Sequence, residues 1–449
     1  MPPASNDVAS DRVAYALATP DVDSSDLQVL APYFVALMLR NVASAGFVFE
    51  HPPGSRRLSV PGCILASPSY PASTPGVDQD YVFNWTRDAA FAAIEIAYAP
   101  LPRMTGGQRN LIDYARFARR CADAARPTLA HAAFTIDGEA RPNWSEQTDG
   151  PALQTLALLA AYDRLDPSTQ DDVRELMGRN VDFLLGVYRS KTKNIWEEHD
   201  GYSFFARAAQ LRCFREIAGN FIGVPVPAGL AEAAAWLEKA LADHWNGSFY
   251  VSVVADEGRA PVVAGYDPNI DVVCAAIYGA IPITDPKMLA TAALLRWQWS
   301  DPSSPSFYSI NGADAAHGLG PLLGRYPGDD YDGDVSHPVP GGHPWALCTA
   351  NMAELYYRLA AGLQIDATVL GAPLAARFFA DFGVSASTPP AEAAQALREA
   401  GDAMLRAIVL HSDSYELSEQ FDGATGFEKS VRNLTWSYAA FLSALRARN

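Results

Sequence analysis

The 449-residue sequence has no CxxC pair and no Cys/His cluster; its five cysteines, Cys63, Cys121, Cys213, Cys274 and Cys348, are scattered and odd in number. That spacing offers neither a zinc site nor a disulfide framework, so the thiols read as small buried hydrophobes. Charge is sparse at 19% against 49% apolar residues, a balance that buries a core and excludes extended disorder. Basic residues are scarcer still: 34 Lys and Arg face 51 Asp and Glu, for a net charge of −17. With no basic tract, nucleic acid and anionic membranes are excluded as expected partners, while a neutral polymer is electrically indifferent. No apolar run is long enough to span a bilayer. The N-terminus, Met1-Pro-Pro-Ala-Ser-Asn-Asp7, lacks a basic start followed by an apolar stretch. Cytoplasmic residence is therefore favoured over periplasmic or secreted, although a mature chain behind an initiator Met reads the same way. GxGxxG and strand–helix alternation are missing too, which excludes a nucleotide-binding sheet.

What is present is helical periodicity. Apolar residues recur at helix spacing over 27–42, from Ala89 onward after a cap-like Thr86-Arg87-Asp88, and over 111–125, 152–163, 171–185, 204–219 and 230–243. The same spacing runs through 271–279, 287–299, 345–361, 391–407 and 434–448. Short strands are expected only at 248–254 and 134–136. No low-complexity linker divides the chain, so 1–449 reads as one all-α domain with about the first 12 residues untied. Long loops among helices of this kind commonly carry function.

Two of those loops, Asn194-Ile-Trp-Glu-Glu-His-Asp-Gly201 and Glu416-Leu-Ser-Glu-Gln-Phe-Asp422, set glutamates among aromatic and amide side chains. A glutamate beside a tryptophan is ordinarily a solvated loop carboxylate. Glycosidic hydrolysis, however, needs two carboxyls from separate places, one protonated for the leaving oxygen and one ionised for the nucleophile. Three further segments combine carboxylate, arginine or tryptophan in the same way: 80–88, 143–150, and 325–330 with 342–345. Aromatic faces suit the CH faces of a pyranose, and arginine and aspartate suit its hydroxyls.

Taken in order, Trp85-Thr-Arg-Asp88, Asp149-Gly-Pro-Ala152, Trp196-Glu-Glu198, Ser418-Glu-Gln420 and Leu434 to Ala440 resemble the catalytic domain of fungal-type glucoamylases of glycoside hydrolase family 15. The resemblance implies an (α/α)6 barrel that removes β-D-glucose, with inversion and without metal or cofactor, from non-reducing ends of maltooligosaccharides and starch. It implies Glu197 as general acid and Glu419 as general base, supported by Ser430 and Gln420. An inverting pair is expected roughly 6.5–9.5 Å apart. Arg87, Asp88 and Arg325 would grip the terminal glucose beside Tyr81, and Glu198 would touch the next one. Trp85, Trp144, Trp196, Trp345 and Trp436 would be platforms and walls. The lack of a disulfide framework is more like a bacterial member than a secreted fungal one, and a monomer is expected.

The chain departs from the family pattern twice. Trp144 stands one residue closer to Asp149 than the family's lid tryptophan does, and the arginine of that segment is missing. Between Tyr331 and His343-Pro-Trp345 there are about eight extra residues, and His343 replaces an asparagine. That loop could favour short oligosaccharides, and an α-1,6 preference or a non-catalytic glucan-binding role are the alternatives. Asp329, Asp330, Asp332 and Asp334 lack an EF-hand register and read as a solvated acidic turn. No strand-rich module follows the last helix, so the starch-binding domain of many relatives is expected to be absent and granule adsorption weak.

Overall fold

The computed structural model describes residues 26–68, 81–99, 107–125, 128–219, 222–256, 260–333 and 341–449. The first dozen residues, expected to be untied, and Asp334 lie outside that set. Two kinds of helix alternate along the chain. One kind is α1 (Ala31–Leu39), α3 (Gly107–Ala124), α5 (Pro167–Val187), α7 (Leu230–Ala242), α9 (Pro286–Ser300) and α12 (Pro390–His411). The other is α2 (Thr86–Tyr98), α4 (Asp149–Ala161), α6 (Phe204–Ala218), α8 (Asp271–Tyr278), α11 (Ala346–Leu363) and α13 (Thr435–Arg448), with a short α10 (Ser309–Ala316) inserted before α11.

The second set closes a ring, α2 against α4, α4 against α6, and so through α8, α11 and α13 back to α2. Each member also packs on one helix of the first set, α13 on α1, α2 on α3, α4 on α5, α6 on α7, α8 on α9 and α11 on α12. This is the expected (α/α)6 barrel. Sequence sorts the layers. In α4, DGPALQTLALLAA, every residue but Leu159 and Ala160 is buried, as a helix enclosed on all sides requires. In α3 the buried set Leu111, Tyr114, Ala115, Ala118 and Ala122 follows helix spacing, and Arg109, Arg116 and Arg119 are left outside.

Because the chain reverses at every hairpin, all six inner helices run the same way. Their N-termini gather at one mouth and their C-terminal carbonyls at the other. The long connections lead into the N-terminal mouth and carry small strand pairs: Asn84–Trp85 with Ala133–Phe134, Asp200–Ser203 between Thr192–Lys193 and Val253–Val254, and Gln420–Phe421 with Glu428–Lys429. The strands expected at 134–136 and 248–254 thus survive as two-residue pieces.

Helix starts account for other differences. Thr86-Arg87-Asp88 is not a cap but the first turn of α2; Trp85 takes the cap position with extended backbone and no capping bond from its side chain. The Thr86 N–H is satisfied by the Ala132 carbonyl at 3.0 Å, so a neighbouring strand does what a cap would. The segment 27–42 breaks at Leu30, ahead of Ala31-Pro32. All five cysteines are buried and free. Among the described residues no helix is long and apolar enough to cross a membrane.

Candidate active site

The loop bearing Glu197 is wound around Asn194. The buried Asn194 amide oxygen accepts from the backbone N–H groups of Glu198 and His199, both at 2.9 Å, and its nitrogen donates to the Tyr266 hydroxyl. The turn is tight enough to force Glu197 to φ +64°, the left-handed region, at a cost of about 1–3 kcal/mol for a residue of this kind. Its half-buried carboxyl accepts from Trp85 Nε1 at 2.9 Å. Desolvation in the cleft pushes Glu197 above the ordinary glutamate range, against the pull of the Arg87 charge and the Trp85 donor.

Glu419 arrives from the opposite end of the chain and is buried at 4% exposure. Its backbone is fixed by bonds to the Val431 carbonyl (2.9 Å) and from the Ala346 N–H (3.3 Å). The Tyr81 hydroxyl donates to Oε1 at 2.9 Å, and Ser430, itself at φ +60°, donates to Oε2. The Tyr331 hydroxyl lies 2.8 Å from that of Tyr81 and extends the chain. Burial raises Glu419 as well, and the Ser430 and Tyr81 donors work against that rise by favouring the anion. The Tyr81 and Trp85 rings are 5.7 Å apart, so one short segment ahead of α2 holds the donors of both carboxyls.

Around this pair the N-terminal mouth gathers charged groups that are largely spoken for. Arg87 Nη1 donates to Asp149 (2.9 Å) and Gln147 (3.0 Å), and Nη2 to the Ile195 carbonyl (2.9 Å). Asp88 has no hydrogen bond to another side chain among the described residues; burial pushes it up to about 7, with Arg87 opposing and Glu197 reinforcing. Arg325 donates bidentately to buried Asp329 at 2.9 and 2.6 Å and pairs with Glu198 at 2.9 Å. Trp345, Tyr326, Tyr331 and Trp196 surround its guanidinium with ring centroids 4.9–5.4 Å away. Glu198 also accepts from the hydroxyls of Tyr326 (2.9 Å) and Tyr266 (3.0 Å).

Beneath these residues the ring is filled. Trp196 stacks on Trp436 at 6.0 Å and leans on Trp345 at 5.7 Å, Trp436 meets Phe91 at 5.3 Å, and Phe91 stacks on Tyr278 at 3.9 Å. The mouth is therefore blind. Residues 37–446 match the sequence profile described as Glycosyl hydrolases family 15.

The chain belongs to glycoside hydrolase family 15. A glucoamylase of Saccharomycopsis fibuligera is 26% identical over 92% of this chain and 88% of its own length. A probable glucoamylase of Schizosaccharomyces pombe is 26% identical over 86% of this chain and 85% of its own. The solved structure of the Saccharomycopsis fibuligera glucoamylase superposes with a TM-score of 0.73 at 23% identity, covering 95% of this chain and 96% of that one, a likeness of fold.

Where this family 15 chain departs from the pattern, the structure corrects the sequence reading. The acidic turn is not solvated throughout: Asp329 is fully buried on Arg325, and Asp332 pairs with His343 (2.8 Å) and Lys429 (2.5 Å), leaving Asp330 exposed. Among the described residues no group of three His, Cys, Asp or Glu is arranged to hold a metal ion. Gln420, the first residue of its short strand, bonds the Tyr331 carbonyl at 3.0 Å instead of the Glu419 carboxyl. Trp144, 40% exposed, stands edge-on to Trp85 at 5.8 Å, with the Arg141 guanidinium 3.6 Å over its ring. Sequence reasoning passed over Arg141, Asn194, Tyr266 and Tyr326. Of these, Asn194 was within reach, as an amide four residues ahead of Glu198 that can close an Asx-type turn.

Proposed function

We infer that this enzyme is a glucoamylase, an exo-acting glucan 1,4-α-glucosidase that takes glucose from the non-reducing ends of starch-type glucans and maltooligosaccharides. The observation that carries this reading is a pair of desolvated carboxyls, each with its own donors, at the rim of a pocket whose floor is packed with tryptophan. A blind pocket admits a chain end and not the middle of a chain. Arg87, Asp88 and Arg325 grip the terminal glucose, and Tyr81 and the tryptophans wall it.

Glu197, held protonated by desolvation, gives its proton to the glycosidic oxygen as the C1–O bond breaks. The carboxylate so formed accepts from Trp85 Nε1. Water attacks C1 from the other face and passes its proton to Glu419, whose two hydroxyl donors hold it ready as the anion. The product is β-glucose. Glu198, tied to Arg325 and two tyrosines, borders the next sugar.

Proton NMR of the fresh product on maltotriose reads the stereochemistry; an initial α-anomer refutes inversion. Glu419→Gln is expected to lower kcat by about 10²–10⁴ while KM stays within about threefold. A kcat/KM for isomaltose above that for maltotriose would transfer the assignment to α-1,6 linkages.

A further inference from the structure

The inner ring has a second mouth, where its C-terminal carbonyls converge. A cavity of ≈ 240 Å³ opens there, lined from α2, α4, α6, α8, α11 and α13. Carbonyl ends that meet without partners carry negative partial charge, and arginines answer it. Arg164 donates to the Ile96 and Ala99 carbonyls at 3.3 Å, Arg212 Nη1 to Tyr278 O at 3.1 Å, and Arg358 Nη1 to Ile277 O at 3.0 Å. Arg446 is bidentate on buried Glu95 at 2.7 and 3.2 Å, and Arg358 pairs with Glu354.

Once the helix ends are satisfied, some groups are left over. Arg212 is bonded through Nη1 alone, so its Nε and Nη2 have no hydrogen-bond partner among the described residues. Glu216 is 54% exposed, and its contact with Arg212 is long, at 3.9 Å. A donor fork and a carboxylate acceptor therefore face the cavity side by side. Across from them Ile94, Leu156, Ala160 and Ala439 make an apolar wall. The Tyr98 ring, half exposed with Arg446 stacked 4.5 Å above it, gives a flat face at the edge. Four arginines, Arg164, Arg212, Arg358 and Arg446, face three carboxylates, Glu95, Glu216 and Glu354, and the carbonyl ends supply the remaining negative charge. An anion has no net attraction here, and the guanidiniums at the front oppose a cation.

We propose that the second mouth is a binding site for a neutral, hexose-sized polyol. Interleaved donors and acceptors, an apolar wall and an aromatic face are what a pyranose uses, and the volume suits one ring instead of a chain. D-Glucose is the member of that class which the proposed activity would place around the enzyme. Phe91 and Tyr278 form the packed floor between the two mouths, and none of the polar groups named here reaches the cleft, so the site stands apart from the hydrolytic reading.

The test is D-glucose binding, by calorimetry and saturation-transfer NMR, to the Glu419→Gln enzyme after its cleft has been filled with maltotriose in a separate titration. One glucose per chain is expected to bind outside the cleft. Ala160→Trp, which fills the cavity, should abolish that site while leaving maltotriose hydrolysis by the otherwise unaltered enzyme intact. Arg212→Lys, which keeps the charge and loses the fork, should weaken it about tenfold. No extra glucose site up to about 100 mM, or one unchanged in both variants, overturns the proposal. Binding of inorganic phosphate or spermidine at this mouth in place of glucose overturns its neutral chemistry. A failed maltotriose titration would count against the cleft assignment alone, because the difference between native and Ala160→Trp chains still reports the second mouth.

Discussion

Replacing Trp85 by phenylalanine removes one bond, from Nε1 to the Glu197 carboxyl at 2.9 Å, and keeps an aromatic ring against Tyr81 and Trp144. A hydrogen bond to an ionised carboxyl is worth about 1.5–3 kcal/mol, and the lower figure applies at a half-buried group. Since about 1.4 kcal/mol corresponds to one pKa unit, losing this donor raises Glu197 by about one unit above its already elevated position. The sign follows from the role. As the proposed acid, Glu197 works protonated, so activity should disappear as pH rises through its pKa, and a higher pKa carries that alkaline limb upward. With Glu419 as the proposed base, the acidic limb is its own; the substitution does not touch that residue, and the limb should stay in place as an internal control. The assay is the pH profile of kcat on maltotriose, where the alkaline limb should move up by about one pH unit. A limb that stays put or moves down would show that the indole N–H does not govern the ionisation of Glu197.

Ser430→Ala should do the opposite to the profile: losing a donor to Glu419 raises the base, and because the base works ionised the acidic limb moves up by about one pH unit and the active range narrows. Asp149→Ala strands Arg87, buried at 5% exposure, and should cost about 3–5 kcal/mol in denaturant unfolding; a loss under 1 kcal/mol would mean that water reaches the guanidinium. Gly62→Ala would place a Cβ 2.0 Å from the Asp113 carbonyl at φ +89°, so about 3 kcal/mol or more of stability should be lost, again by denaturant unfolding.

The helices were legible because enclosure writes itself into composition. Runs such as DGPALQTLALLAA have no polar face to spare, whereas the outer α3 alternates its arginines with its core residues. α10, SINGADAA, has too few apolar residues to show a period and was passed over. At the mouth, the segments that carry Glu197 and Glu419 stood out because carboxylates among aromatics are rare in loops. Their supports did not. Tyr266 reaches Glu198 from 68 positions away, which only closure of the ring reveals. Asp329 looked like one of four solvated acids because a sequence does not show Arg325 folding back on it within an aromatic cage. Gln420 reads as a partner of its neighbour Glu419, yet its amide is taken by the Tyr331 carbonyl, 89 positions away in sequence.

The left-handed backbone at Glu197 means that the fold would be steadier without its own proposed acid. Glycine adopts that conformation freely, so Glu197→Gly would relax the turn that Asn194 imposes while removing the proposed proton donor. Ser430, at φ +60° beside Glu419, is subject to the same conflict. Selection of this chain for thermal endurance alone would therefore drift toward erasing both positions, and a stabilised descendant is worth keeping only if it is screened for glucose release in the same round.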